Sequence, residues 1–233
     1  MTTYRHLFFD LDHTLWDFDT NAKEALQDVY QELNLHQQGI DDFDFFYKRY
    51  IEHNAVLWDR YHKGFITSEE LKWKRMWRTL LEFKIGSEPL AKSMSDAFLH
   101  ILPSKRNLFP HTHELLTYLQ NKSYRMHLIT NGFEKTQHSK LKHSGLHIYF
   151  QEVITSERSN FVKPQKEIFD YALQITGASL AESVMIGDNP EADILGAVNA
   201  GMDSVYVNHI NNETIPEGAT YTIRHLRELE ALF

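Results

Sequence analysis

Four short apolar runs, spread along the chain, each lead into a polar residue able to do chemistry. They are HLFFDLDHT, with Asp10, Asp12 and Thr14; MHLITNGF, with Thr130 and Asn131; NFVKPQ, with Lys163; and VMIGDNPEAD, with Asp188 and Asp193. Short runs that are apolar on both faces read as buried strands of a parallel sheet. In an open α/β sheet the C-terminal ends of the strands share one edge, and ligands bind there. The pattern predicts a doubly wound α/β fold that gathers residues 10, 130, 163 and 188 into one site.

Between the first and second runs the character of the chain changes. DTNAKEALQDVYQEL opens on the N-capping types Asp19, Thr20 and Asn21 and spaces Ala22, Leu26, Val29 and Leu33 at helical intervals. FDFFYKRYIEHNAVLWDRYH is a second helical pattern, closed by Lys63 and Gly64. TSEELKWKRMWRTLLEF is a third, opening on a Thr67–Glu70 capping box, and PLAKSMSDAFLHIL a fourth. Residues 17–100 therefore read as an all-helical insertion, and residues 1–16 with 101–233 as the α/β core. After Pro110 helices and strands alternate through YRMHLIT, QEVIT, SVMIG and DSVYV to a last edge strand at ATYTI and a tail helix, RHLRELEALF. Such alternation implies a parallel sheet.

Bulk properties narrow the function. The formal charge of −8 argues against nucleic-acid polymers as partners, since modules that bind them carry a basic face. A small anionic substrate stays open, because a local lysine or a metal overrides the global sign. The chain has no cysteine, which excludes thiol catalysis, disulfides and iron–sulfur ligation and fits a reducing compartment. MTTYRHLFFDLD offers no signal-peptide stretch, and no run reaches the roughly 18 apolar residues of a membrane span. A cytoplasmic location with no membrane partner is the expectation; the sequence does not fix the oligomeric state.

The residues at the ends of the runs make a coherent set. Asp10 can attack phosphorus to form an aspartyl-phosphate. Asp12, two residues on and on the same side of an extended segment, can protonate a departing alkoxide and then activate water. Taken alone, Asp-x-Asp at a strand end can equally cap the next segment. Thr130, Asn131 and Gly132 offer a hydroxyl, an amide and a flexible backbone to phosphate oxygens, although a plain strand-to-helix turn looks the same. Lys163 can balance charge on a phosphate and on Asp10. Mg²⁺ takes a few carboxylates together with phosphate and water, so Asp10 and Asp188 are candidate ligands, with Asp193 behind them ordering metal-bound water or Lys163. Glu191, in a first helical turn, reads as dipole compensation.

In this order, DLDHT, the TNG after a strand, VKP and GDNPEAD resemble the four motifs of the haloacid-dehalogenase superfamily. The resemblance implies Asp10 as nucleophile, Asp12 as general acid–base, Thr130 as phosphate-binding hydroxyl and Lys163 as charge-balancing lysine. It implies Mg²⁺ held by Asp10, Asp188 and the backbone carbonyl of Asp12, and a helical insertion serving as a cap over the active site. His13 departs from the pattern, since many members have glycine there. LWDRYHKGFITSEELKWKRM, ITNGF and GDNPEADILGAVNAGMDSVYVNH are further similar to the pyrimidine 5′-nucleotidase branch. That implies pyrimidine nucleoside monophosphates (dUMP, dTMP, UMP, modified bases) as the small-molecule phosphate esters hydrolysed.

Other readings compete. A phosphatase or phosphomutase for a small sugar phosphate or phosphoglycolate would share every motif. A hydrolytic dehalogenase needs no leaving-group acid, so Asp12 and Asp188 argue against it. A response-regulator receiver is about half this length and has no helical insertion. The histidines His111, His113, His138, His143 and His147 lack metal-site spacing and read as structural or surface residues. Trp58, Trp73 and Trp77 read as core of the helical segment rather than as stacking platforms for a base. Phe133 and Trp16, which border the motifs, are the better candidates for substrate contact.

Overall fold

The computed structural model describes residues 4–210 and 215–233. They divide into two compact units: residues up to Phe18 together with Arg106–Phe233, and Asp19–Lys105. Both breaks fall a few residues later than the sequence pattern places them; at the second, a 3₁₀ turn, Leu102–Ser104, prolongs the last helix.

The first unit is built on six strands: β1 (His6–Phe9), β2 (Arg125–Thr130), β3 (Phe150–Thr155), β4 (Ser183–Gly187), β5 (Asp203–Val207) and β6 (Tyr221–Ile223). Their order is β3-β2-β1-β4-β5-β6, and every pairing is parallel. The sequence enters the sheet at its centre, winds outward one way through β2 and β3, then returns to β4 on the other side of β1. The strand order therefore reverses at β1, between β2 and β4, which is the topological switch point where such sheets bind ligands. Central strands have both faces covered: every residue of β1 and of β4 is buried. Against one face, Phe8, Ile129, Ile154 and Met185 pack with Ile168, Phe169 and Ala172 of the helix Lys166–Thr176 and with Ala197. Each such large side chain contributes roughly 1.5–3 kcal/mol when removed from water.

Inside this sheet lies a polar pair that apolar patterning conceals. His6 and His127, on adjacent strands, stack at 5.4 Å with Nδ1 of His6 3.1 Å from Nε2 of His127. Burial, with the neighbouring His6 and Arg125, lowers His127 to about 4, so the pair is neutral near pH 7.

The second unit holds the α-helices Phe18–Glu32, Phe43–His62, Ser68–Glu82 and Glu88–Ile101, the first starting one residue ahead of the boundary at Asp19, and a 3₁₀ helix, Leu35–Gln38. Thr67 and Glu70 form the expected capping box, Asp42 caps the second helix, and Ser87 caps the fourth. Asp19, Thr20 and Asn21 do not cap the first helix. It starts at Phe18, whose ring packs on His13 and Trp16, and the three polar residues fall within its first turns. The core of this unit is Phe46, Tyr50, Leu57, Met76, Leu80, Met94 and Phe98. Trp58, Trp73 and Trp77 are only half-buried, with Trp73 and Trp77 edge to face at 6.1 Å. No helix among the described residues is long and apolar enough to cross a membrane.

Two elements differ from their sequence reading. The tail RHLRELEALF forms a 3₁₀ helix, Leu226–Ala231, instead of an α-helix. The segment after GDN opens as a wide π-helical turn, Pro190–Leu195, before α-helix resumes at Gly196. Single π turns of this kind recur at functional sites.

Candidate active site

The polar residues of three runs lie at the C-terminal ends of β1, β2 and β4 or in the loops beyond them, and Lys163 lies past β3, between the short helix Ser156–Ser159 and the helix Lys166–Thr176. Asp10 continues the ladder one residue past β1, its N–H donating to the carbonyl of Ile186 at 2.9 Å. The chain then turns back through Leu11–Trp16, where the N–H groups of Leu15 and Trp16 both donate to the carbonyl of Leu11. His13 adopts φ 63° in this turn, a left-handed conformation that glycine takes freely and histidine takes more readily than most residues. That is the physical meaning of the histidine standing where the superfamily pattern has glycine.

Lys163 is the hub. It is 2% exposed, and its Nζ donates to Asp10 Oδ1 at 2.6 Å, to Asp193 Oδ1 at 2.6 Å and to the carbonyl of Ile129 at 2.7 Å. Three acceptors satisfy the three N–H bonds of the ammonium. Asn131 fixes the backbone that carries it: its amide accepts from the N–H of Lys163 at 2.8 Å and donates to the carbonyl of Lys163 at 2.9 Å. Asn131 is thus bound to the lysine loop, an orienting task that its sequence reading as a phosphate ligand did not include.

Asp193 is held at both oxygens, by Lys163 and by the N–H of Asn189 at 2.9 Å. The wide turn at Pro190–Leu195 accompanies this inward placement, and Gly187 leaves the room for it. A Cβ at position 187 would sit 2.2 Å from Asp193 Oδ2. Asp188 receives the hydroxyl of Thr14 at 2.9 Å.

Carboxylate oxygens of Asp10, Asp188 and Asp193 all lie within 4.8 Å of one another. One ammonium faces three carboxylates, so the cluster is short of positive charge. Burial, together with Asp193 and Asp188, pushes the Asp10 carboxyl well above its usual range although Lys163 opposes the shift. Burial and Asp193 raise Asp188 to about 7. Burial pulls the Lys163 ammonium down, but Asp10 and Asp193 outweigh it and hold it above an ordinary lysine. An all-oxygen donor set with unbalanced negative charge fits a hard divalent cation such as Mg²⁺ and does not fit a soft metal. With Asp193 engaged at both oxygens, Asp10 and Asp188 are the carboxylates able to hold it.

Asp12, two residues past Asp10, has partners that the sequence reading missed. Gln137 donates from Nε2 to Asp12 Oδ2 at 2.8 Å and to Thr130 Oγ1 at 2.7 Å, while Lys140 Nζ meets Asp12 Oδ1 at 2.5 Å. Both come from the helix Glu134–His143, which reads in sequence as a lysine-bearing surface helix yet buries Gln137, Lys140 and Leu141. A signal was present: this helix has almost no apolar residues, so any face it buries has to be polar. Gly132 belongs to the same arrangement, because a Cβ there would lie 2.1 Å from Gln137 Nε2.

Trp16 has no exposed surface; its ring lies under the Lys140 ammonium, 4.3 Å from the centroid. Phe133 is buried as well. Both aromatics are packed into the unit and present almost no free surface for substrate contact. His138, His143 and His147 are exposed, and His111 pairs with Glu230.

A family model described as haloacid dehalogenase-like hydrolase matches residues 7–207. The chain is 33% identical over 231 residues to the pyrimidine 5′-nucleotidase YjjG of Escherichia coli (strain K12), covering 97% of this chain and 96% of that protein. It is 32% identical over 229 residues to the pyrimidine 5′-nucleotidase PynA of Streptococcus pneumoniae (strain ATCC BAA-255 / R6), covering 97% and 93%. Among solved structures, the HAD-hydrolase YfnB of Bacillus subtilis, bound to magnesium, superposes with a TM-score of 0.88 at 29% identity, over 99% of this chain and 98% of that one. On the family match and the near full-length relatives, this chain belongs to the haloacid dehalogenase-like hydrolases.

Proposed function

We propose that this hydrolase is a Mg²⁺-dependent phosphomonoesterase that works through an aspartyl-phosphate on Asp10, with pyrimidine nucleoside 5′-monophosphates as substrates. The observation that carries the chemistry is the buried Asp10–Lys163–Asp193 bridge with Asp188 beside it. It holds a carboxylate ready as nucleophile next to a hard-cation site.

In the first half-reaction a carboxylate oxygen of Asp10 attacks phosphorus, the bond from phosphorus to the ester oxygen breaks, and Asp12 gives its proton to the departing alkoxide. In the second, Asp12 takes a proton from water, the water oxygen attacks phosphorus, and the acyl-phosphate bond breaks to release inorganic phosphate and the Asp10 carboxylate. Thr130 and Lys163 stabilise charge on the transferring group. Asp10, Asp188 and the backbone carbonyl of Asp12 would hold Mg²⁺, and the chemistry it would supply there is charge neutralisation at the phosphate. A dehalogenase would have no use for a leaving-group acid at Asp12.

The substrate class rests on the names of YjjG and PynA, and magnesium is supported by the magnesium-bound YfnB structure. We assign the cap role to the helical unit and a cytoplasmic location to the protein, an assignment with which the cysteine-free composition is compatible. The test is phosphate release with Mg²⁺ over dUMP, dTMP, UMP, AMP, phosphoglycolate and glucose 1-phosphate. The proposal expects the pyrimidine nucleotides to lead. Activity confined to phosphoglycolate or the sugar phosphate would keep the phosphatase and discard the nucleotidase; isomerisation without phosphate release would replace it with a mutase.

A further inference from the structure

We infer that Lys140 and Gln137 are positioning residues for Asp12, holding both oxygens of its carboxyl group and so fixing where it meets the substrate. The inference rests on the role proposed above for Asp12.

Asp12 sits in the turn past β1, its backbone bridged to Trp16, on a side chain with two rotatable bonds. Side chains from elsewhere in the chain bind both of its oxygens. Lys140 takes Oδ1 and Gln137 takes Oδ2, at 2.5 and 2.8 Å. The two are three residues apart on one helix, which puts them on the same face. Neither can wander. Lys140 is 3% exposed and rests on the face of Trp16 at 4.3 Å, with the ring of Phe18 at 5.7 Å. Gln137 has no exposed surface, and the same Nε2 donates to Thr130. The clamp therefore also ties the carboxylate of Asp12 to the hydroxyl proposed to hold the phosphate, setting a fixed spacing between the group that handles protons and the group that handles phosphate. Fixing a reacting group in this way changes turnover far more than binding.

A buried lysine in a core is ordinarily expensive and is kept only where it is paired. Here the partner is a partly exposed carboxylate, whereas the other buried lysine, Lys163, is matched by two more deeply buried ones.

The test compares leaving groups. Lys140→Met, Lys140→Arg, Gln137→Met and Asp12→Asn are assayed with Mg²⁺ on dUMP, whose alkoxide needs a proton to depart, and on p-nitrophenyl phosphate, whose phenolate does not. Loss of a general acid is typically about 10²–10⁴-fold. Lys140→Met is expected to lower kcat on dUMP by roughly 10- to 100-fold with KM changed less than about threefold, and to slow phosphorylation by p-nitrophenyl phosphate only a few-fold. Because water activation also needs Asp12, the phosphoenzyme should then accumulate, seen as a burst of p-nitrophenolate matching the enzyme concentration. Gln137→Met should show the same split in milder form, and Lys140→Arg, which keeps the donor, should recover much of the activity. Equal losses in the phosphorylation rate on both substrates with no burst, or a loss confined to KM or to thermal stability, overturns the positioning role. If Asp12→Asn itself shows no leaving-group dependence and no burst, the assignment of Asp12 fails instead, so the two failures are distinguishable.

Discussion

Replacing Asp188 by asparagine should stabilise the metal-free protein while destroying its activity. In the folded chain burial and the nearby Asp193 raise Asp188 from 3.8 to about 7, whereas Thr14 and Lys163 only partly oppose them. A raised carboxyl means that the charged form is disfavoured by folding. At about 1.36 kcal/mol per unit, a rise from 3.8 to about 7 corresponds to a charge cost of roughly 4 kcal/mol above pH 7. Asp188 keeps some solvent contact, so about half of this, ~2 kcal/mol, is the reasonable expectation. Asparagine preserves the shape and can still accept from the Thr14 hydroxyl. For a chain of this size the gain corresponds to a Tm increase of roughly 4–8 °C at pH 8.

The sign with pH follows directly. Between about 7 and 3.8 the folded wild type binds a proton that the unfolded chain does not, so its disadvantage shrinks as pH falls through that window. Thermal unfolding in EDTA at pH 8, 6 and 4.5 should show the Asn variant ahead by most at pH 8 and by little at pH 4.5. With saturating Mg²⁺ the order should reverse, because only the wild type gains the binding free energy of the ion. An Asn variant no more stable than wild type in EDTA at pH 8 would refute the charge-shortage reading of the site.

Three further predictions follow from the same contacts. Lys163→Met leaves Asp10 and Asp193 buried without their cation, which typically costs about 3–5 kcal/mol, so its Tm should fall by roughly 10 °C; a shift of a degree or two would show the bridge to be dispensable. Gly187→Ala forces a methyl group to within 2.2 Å of Asp193 Oδ2, and phosphate release should drop by about 10-fold or more while the circular-dichroism spectrum is retained. His127, lowered from 6.5 to about 4, must charge as the pH falls; stability tied to this residue should be lost progressively from pH 6.5 downwards, by up to about 3 kcal/mol at pH 4. Urea unfolding of wild type against His127→Phe, whose slope in that window should be flatter, checks it.

The sheet edge was legible because the strands are short, apolar on both faces and terminated by the residues that matter. Asp10, Thr130, Lys163 and Asp188 could be gathered from that pattern alone, and Asp193 joined them from the same run as Asp188. Lys140 and Gln137 were hidden because a buried polar face has no hydrophobic period; on a helix such as EKTQHSKLKH every polar residue reads as solvated. The same blindness applies to His6 and His127, which look like interruptions in strands until their rings are seen to stack. Trp16 misled in the opposite sense: nearness to a motif in sequence marked it as a substrate contact, and packing made it the floor beneath Lys140. Asn131 was found for the right place, but its hydrogen bonds run to the lysine loop, a partner 32 residues away that local reasoning does not reach.

The most direct test of the account is phosphate release from dUMP with Mg²⁺ by wild type and by Asp10→Asn, measured on the same preparation scale and with folding checked by circular dichroism. The account predicts turnover by the wild type and, in the variant, a rate lower by at least about three orders of magnitude, because no aspartyl-phosphate can form. Substantial turnover by a folded Asp10→Asn protein would contradict the role given to Asp10 and with it the mechanism.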